Sequence, residues 1–135
     1  MTDERTISPD QLKRMKVLVV DPNAYMRGVI ADSLRRLMIT NINAAATAVE
    51  AFTLGRTFKP DIVFVDWDAG RMSGLEFTRE VRRNSTGMSR ETPIILLAGA
   101  IDHEQLLSAR QAGLNEFLLK PVSALGVRSR IEEGV

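Results

Sequence analysis

Four blocks of apolar residues punctuate a mostly mixed chain, and each ends in a residue suited to chemistry or to a tight approach. Val17–Val20 ends in Asp21, and Ile62–Val65 ends in Asp66. Ile94–Leu97 ends in the small pair Ala98-Gly99, and Phe117–Leu119 ends in Lys120-Pro121. Short unbroken apolar runs rich in β-branched and aromatic residues predict strands buried on both faces. Ile39–Ala45, with its alternating Ile and Asn, predicts a weaker strand. Between these blocks the period changes. Tyr25, Met26, Val29, Ile30, Leu34, Leu37 and Met38 recur every three or four residues and predict one buried helix face, with Arg27, Asp32, Arg35 and Arg36 outside it. Thr47 caps an expected helix through Arg56 whose apolar residues include Val49, Phe52 and Leu54. Another helix runs from Leu75 through Phe77, Thr78, Val81 and Arg82 to about Arg83. Asn84–Thr92 reads as a polar loop. Asp102 caps a helix carrying Leu106, Leu107 and Ala109, and Gly113 stops it. A last helix lies within Pro121–Glu133, interrupted by Gly126. Ser8-Pro9-Asp10-Gln11 has the capping-box pattern, so a short helix over Pro9–Met15 is expected within a polar leader, residues 1–15, ahead of a domain over 16–135.

The order is strand then helix, five times. Helix-length connections force parallel pairing with right-handed crossovers. An α/β fold follows: a doubly wound five-stranded parallel sheet with helices on both faces. Acids at strand ends then lie at the carboxyl edge of the sheet, where such folds place their sites. If the first and third strands are neighbours, Asp21 and Asp66 converge. With Lys120 they would make a site for a divalent cation and a phosphoryl group.

Composition narrows the chemistry. At 135 residues the chain is one domain with room for a core. A net charge of +1 gives no argument for nucleic acid or membrane partners. The absence of cysteine excludes disulfides and thiolate chemistry, and the single histidine, His103, has no supporting motif for a triad or zinc site and reads as a surface residue. No apolar run suits a membrane span and no signal segment opens the chain, so a cytoplasmic location is expected.

Five segments in order resemble the response-regulator receiver domain of bacterial two-component signalling, in its chemotaxis-type single-domain form. They are Val17–Asp21, Asp61–Asp66, Met72-Ser73-Gly74-Leu75-Glu76, Pro93–Leu97 and Ala112–Pro121. The resemblance covers Lys16 to Glu133. It implies the flavodoxin-like (βα)5 fold with strand order 2-1-3-4-5. It also implies roles: Asp66 as the acceptor of a phosphoryl group from a histidine kinase or phosphotransfer protein, Asp21 and Asp66 as Mg²⁺ ligands with the Asp68 carbonyl, and Lys120 as the partner of the phosphoryl oxygens. Ala98 and Phe117 hold the family's switch positions. The implied output is protein contact through the fourth helix, fifth strand and fifth helix. No DNA-binding domain follows and no membrane partner is expected; the chain is read as a monomer or weak homodimer, or as a receiver cut from a longer protein.

Three positions depart from the family pattern. Pro22 stands where a second acid is usual, so weaker Mg²⁺ binding is expected, with the Asp68 carboxylate as a candidate replacement. Ala98 stands where a serine or threonine would hydrogen-bond the phosphoryl group. Gly70 replaces the usual proline in the loop after Asp66. These departures keep two other readings open: a pseudo-receiver acting as a phosphorylation-independent adaptor, and a nucleotide- or anion-binding module. For the latter, Arg79, Arg82, Arg83 and Arg90 are a candidate anion patch, since arginine offers a forked donor to phosphate.

Overall fold

The computed structural model describes residues 7–134. Residues 1–6 and Val135, which the expected domain bounds include, lie outside the described residues. In chain order the elements are α1 (Pro9–Arg14), β1 (Lys16–Val20), α2 (Ala24–Arg36), β2 (Asn41–Ala45), α3 (Ala48–Phe58), β3 (Ile62–Asp66), β4 (Asp68–Ala69), β5 (Met72–Ser73), α4 (Gly74–Arg82), β6 (Ile94–Ala98), α5 (His103–Gln111), β7 (Glu116–Leu119) and α6 (Ala124–Gly134). The main sheet is parallel, in the order β2-β1-β3-β6-β7. Counting only its five strands along the chain, this is the expected 2-1-3-4-5. The β4–β5 ribbon is antiparallel and had no counterpart in the sequence reading.

Side chains alternate across the sheet and fill two cores. Val17, Val19, Ile62, Phe64, Ile95 and Leu97 face α1, α2 and α6, where Leu12, Ile30, Leu34, Val127 and Ile131 meet them. Leu18, Val20, Val63, Val65, Ile94 and Leu96 face α3, α4 and α5. There Phe52 and Phe77 stack with ring centroids 5.0 Å apart. The three central strands are buried on both faces, which is why they read as unbroken apolar runs.

Several helix details differ from the pattern reading. Tyr25 and Met38, assigned to the buried face of α2, are exposed, because they sit at the two ends of the helix beyond the reach of the sheet. Met38 lies past the helix at φ +70°, a turn that swings Ile39 into the core. α3 buries Ala48, Ala51 and Gly55, while Val49 faces outward. Leu107 of α5 is likewise exposed. α6 runs unbroken through Gly126. Ahead of β1, Ser8 Oγ accepts from Gln11 N at 3.2 Å, and Gln11 Oε1 accepts from Ser8 N at 2.8 Å. The helix so capped places Leu12, with Ile7 and Met15, in the core. Among the described residues no helix is long and apolar enough to cross a membrane.

Candidate functional site

Register builds the site. Val20 pairs with Val65, so the next residues, Asp21 and Asp66, stand side by side at the carboxyl edge. On the other side of β3, Ala98 ends β6 and pairs with Leu119. Lys120 N then donates to Ala98 O at 2.9 Å, which fixes the lysine at the same edge. Its peptide bond to Pro121 is cis. Between β3 and β7 the end of β6 offers only Ala98 and Gly99, so the lysine side chain crosses it without obstruction. Nζ lies 2.5 Å from Asp66 Oδ1 and 3.7 Å from Asp21 Oδ2.

Both acids use the same local device. Asp21 Oδ1 accepts from Asn23 N at 2.9 Å, and Asp66 Oδ2 accepts from Asp68 N at 3.0 Å. In each case an aspartate at the strand end bonds the backbone two residues on, the usual Asx turn. One oxygen is thereby anchored to the loop and the other faces the site. The site-facing oxygens, Asp21 Oδ2 and Asp66 Oδ1, are buried, and the Lys120 ammonium lies between them, against Asp66 Oδ1 and farther from Asp21 Oδ2. Asp21 is only 2% exposed. Burial pushes its carboxyl above the ordinary aspartate range, and the Asp66 charge adds to this; the Asn23 N–H, Lys120 and Arg27 pull it back.

α4 is set against the site by Gly74. Its N–H donates to Trp67 O at 2.7 Å. A Cβ there would run into Asp66 O and lie 2.5 Å from Leu96 Cδ1, so only glycine lets the helix start this close to the acceptor strand. Gly70 turns the β4–β5 ribbon at φ +90°, a conformation glycine adopts without strain. Trp67 is half-buried beside the site.

Asp21, Asp66 and Lys120 therefore come together. The Asp68 carboxylate does not join them: it is exposed, and its Oδ1 accepts from Gly70 N at 3.1 Å, closing the loop. Among the described residues no three acidic or histidine side chains cluster as metal ligands. Of the four arginines of the expected anion patch, one turns inward and one is ion-paired. Arg82 folds inward, with Nε 2.9 Å from Gly113 O, Nη1 2.9 Å from Arg90 O and 2.8 Å from Thr92 O, and Nη2 2.7 Å from Asn115 Oδ1. Burial lowers its pKa, and no carboxylate pairs with it in these contacts. Arg83 pairs with Glu80 at 3.0 Å. Arg79 and Arg90 are exposed. Phe117 is half-buried, with the Arg130 guanidinium 5.9 Å from its ring centroid. His103 is exposed at the start of α5. Arg27, read as a solvent-side residue, instead reaches the loop beside Asp21: Nη1 is 2.8 Å from Asp21 O and 3.2 Å from Pro22 O. No sequence pattern marks that contact, because its acceptors are backbone carbonyls.

The family model for the response regulator receiver domain matches residues 17–132. The chain belongs to that family. Receivers are the signalling domains of two-component systems, and this one resembles single-domain chemotaxis proteins along nearly its whole length. It is 30% identical over 119 residues to the chemotaxis protein CheY1 of Helicobacter pylori, covering 87% of this chain and 94% of that protein. It is 29% identical to the chemotaxis protein CheY of Pseudomonas aeruginosa, covering 88% of this chain and 94% of that protein. The solved structure of Vibrio cholerae CheY4 shares the fold with a TM-score of 0.81 at 24% identity, over 90% of this chain and 98% of that one. The receiver domain of the Pseudomonas aeruginosa sensor histidine kinase PA1611, solved with a magnesium ion coordinated in its active-site cleft, superposes with a TM-score of 0.76 at 25% identity, covering 89% of this chain and 96% of that one.

Proposed function

We propose that Asp66 accepts a phosphoryl group from the phosphohistidine of a histidine kinase or phosphotransfer protein, and that the phosphorylated receiver signals by protein contact. One observation carries this reading: two buried carboxylate oxygens flank a single ammonium at the carboxyl edge. Asp66 Oδ2 is held by Asp68 N, which leaves Oδ1 as the nucleophile. Oδ1 attacks phosphorus, the P–N bond breaks, and the imidazole leaves with its electron pair. Lys120 stays beside the transferring oxygens and offsets their charge. In such a transfer the protein mainly positions and neutralises.

The donor set fits a magnesium ion, which takes hard oxygen ligands and keeps several waters. Asp21, Asp66 and the Asp68 carbonyl would hold it, and when bound it supplies further neutralisation of the phosphoryl oxygens. Pro22 contributes no side-chain oxygen, so binding is weak. Ala98 contributes no hydroxyl to the phosphorylated state, a missing charge-assisted hydrogen bond of about 1.5–3 kcal/mol. Output passes through the face of α5, β7 and α6, where Leu107, Leu119 and Leu125 are exposed.

Intact mass after incubation with acetyl phosphate, with and without Mg²⁺, tests this reading. A phosphate adduct that is absent from Asp66→Ala is expected. An equal adduct in the variant would overturn the assignment, and no adduct in the native chain under any condition would favour a phosphorylation-independent adaptor.

A further inference from the structure

We propose that Arg27 is a second fixed cation of the phosphoryl site and sets how weakly the site holds a divalent cation. This rests on the reading that Asp21 and Asp66 are the metal-side acids. Arg27 stands in the first turns of α2, yet its guanidinium turns back over the preceding loop. Nη1 is 2.8 Å from Asp21 O and 3.2 Å from Pro22 O, and the side chain is half-buried. Two main-chain carbonyls thus clamp a permanent positive charge against the residue whose free oxygen faces the site. The guanidinium is hydrogen-bonded to the main chain of the same residue whose carboxylate faces the site, so the positive charge is held within one residue of that carboxylate.

The charge count gives this placement its meaning. Asp21 and Asp66 contribute two negative charges. Lys120 and Arg27 contribute two positive ones, and Pro22 contributes none. The site is neutral before any ligand enters. A dication gains little from a neutral site and is repelled by a cation that cannot move away. A phosphoryl group gains, because both cations are already in place and need no reorganisation. The arrangement selects for the anion over the metal, so phosphoryl acceptance depends less on Mg²⁺ than it would with Arg27 uncharged. Removing one unit charge beside a dication site at surface-like effective dielectric shifts affinity by roughly three- to thirtyfold.

The test titrates magnesium chloride at constant ionic strength into the native chain, Arg27→Gln and Arg27→Lys, read by Trp67 fluorescence and by calorimetry. Arg27→Gln binds Mg²⁺ roughly three- to thirtyfold more tightly than the native chain, by the same Coulomb reasoning, and the gain shrinks as salt is raised. Arg27→Lys keeps the charge and stays near the native affinity. Should Arg27→Gln fail to fold, Arg27→Met, which keeps the aliphatic stem, takes its place. Unchanged affinity in the neutral variant, or weaker binding in both variants, would overturn the proposal and make Arg27 a loop prop only. If none of the proteins binds Mg²⁺, the metal reading falls separately. Arg27 is then judged on metal-free transfer from acetyl phosphate, in which Asp66 gains the phosphoryl group and acetate leaves. A lower adduct yield in the neutral variant than in Arg27→Lys supports its part, and equal yields refute it.

Discussion

Replacing Arg82 with methionine removes a guanidinium that joins three segments: the end of α4, the loop 84–92 and the turn into β7. The stem is retained, so the loss is confined to four hydrogen bonds. Those to Arg90 O and Asn115 Oδ1 lie in exposed surroundings, where water takes over as donor. Those to Gly113 O and Thr92 O are partly buried. A buried carbonyl left without its donor costs about 1–3 kcal/mol, so the pair gives roughly 2–6 kcal/mol. Relief of the guanidinium's own burial offsets part of this, and a net loss of about 2–4 kcal/mol is expected. For a domain of this size that lowers Tm by roughly 6–20 °C. Thermal and urea unfolding followed by circular dichroism measure it. Arg79→Met and Arg83→Met serve as controls and should change stability by no more than about 0.5 kcal/mol, although Arg83 loses its exposed ion pair with Glu80. If Arg82→Met unfolds with the controls, the inward clamp is wrong and the residue belongs to the surface after all.

Two further predictions concern buried groups. The Asp21 carboxyl has its pKa raised in the folded chain, so the native state binds a proton more tightly than the unfolded state. Its ionised form is therefore a stability deficit, present above the raised pKa and lost as pH falls towards the ordinary value near 3.8. Asp21→Asn should raise Tm at neutral pH, with the gain over the native chain shrinking on acidification; a pH-independent difference would contradict the burial argument. A Cβ at Gly55 would lie 2.7 Å from Met88 Cγ and nearer still to its sulfur. Gly55→Ala should destabilise by about 1–3 kcal/mol through overpacking. In a Met88→Ala background the same change should stabilise by up to about 1 kcal/mol, the ordinary helix preference of alanine over glycine. Additive effects in that cycle would mean the two residues do not touch.

The strands were legible because burial on both faces leaves unbroken apolar runs in β1, β3 and β6, and the acids that end the first two runs lie at the site. Asp21, Asp66 and Lys120 were legible as residues at strand ends; the β-α repeat makes the strands parallel, and the strand order that brings the three together was implied by the resemblance to the receiver family. Helix caps were legible as well: Ser8, Thr47 and Asp102 each accept from a backbone N–H three residues on. What the pattern could not carry is contact with backbone. Arg27 and Arg82 resemble any surface arginine in sequence, yet both satisfy loop carbonyls. Asp68 is acidic and close to Asp66, but its carboxylate is taken by Gly70 N. Met88, in a stretch that reads as polar loop, is buried because Gly55 leaves a notch for it. Tyr25 and Met38 keep the helical period and are exposed, since a periodic stripe does not say where the sheet beneath it ends.

The phospho-acceptor assignment is tested most directly by trapping the acyl phosphate in place. The chain is incubated with a phosphoryl donor, reduced with borohydride and mapped by peptide mass spectrometry. Reduction converts an aspartyl phosphate to homoserine. Homoserine at position 66, and at no other aspartate, is the expected result. Homoserine at Asp68 or Asp21 with Asp66 intact would contradict the reading that the free, lysine-paired oxygen of Asp66 is the nucleophile.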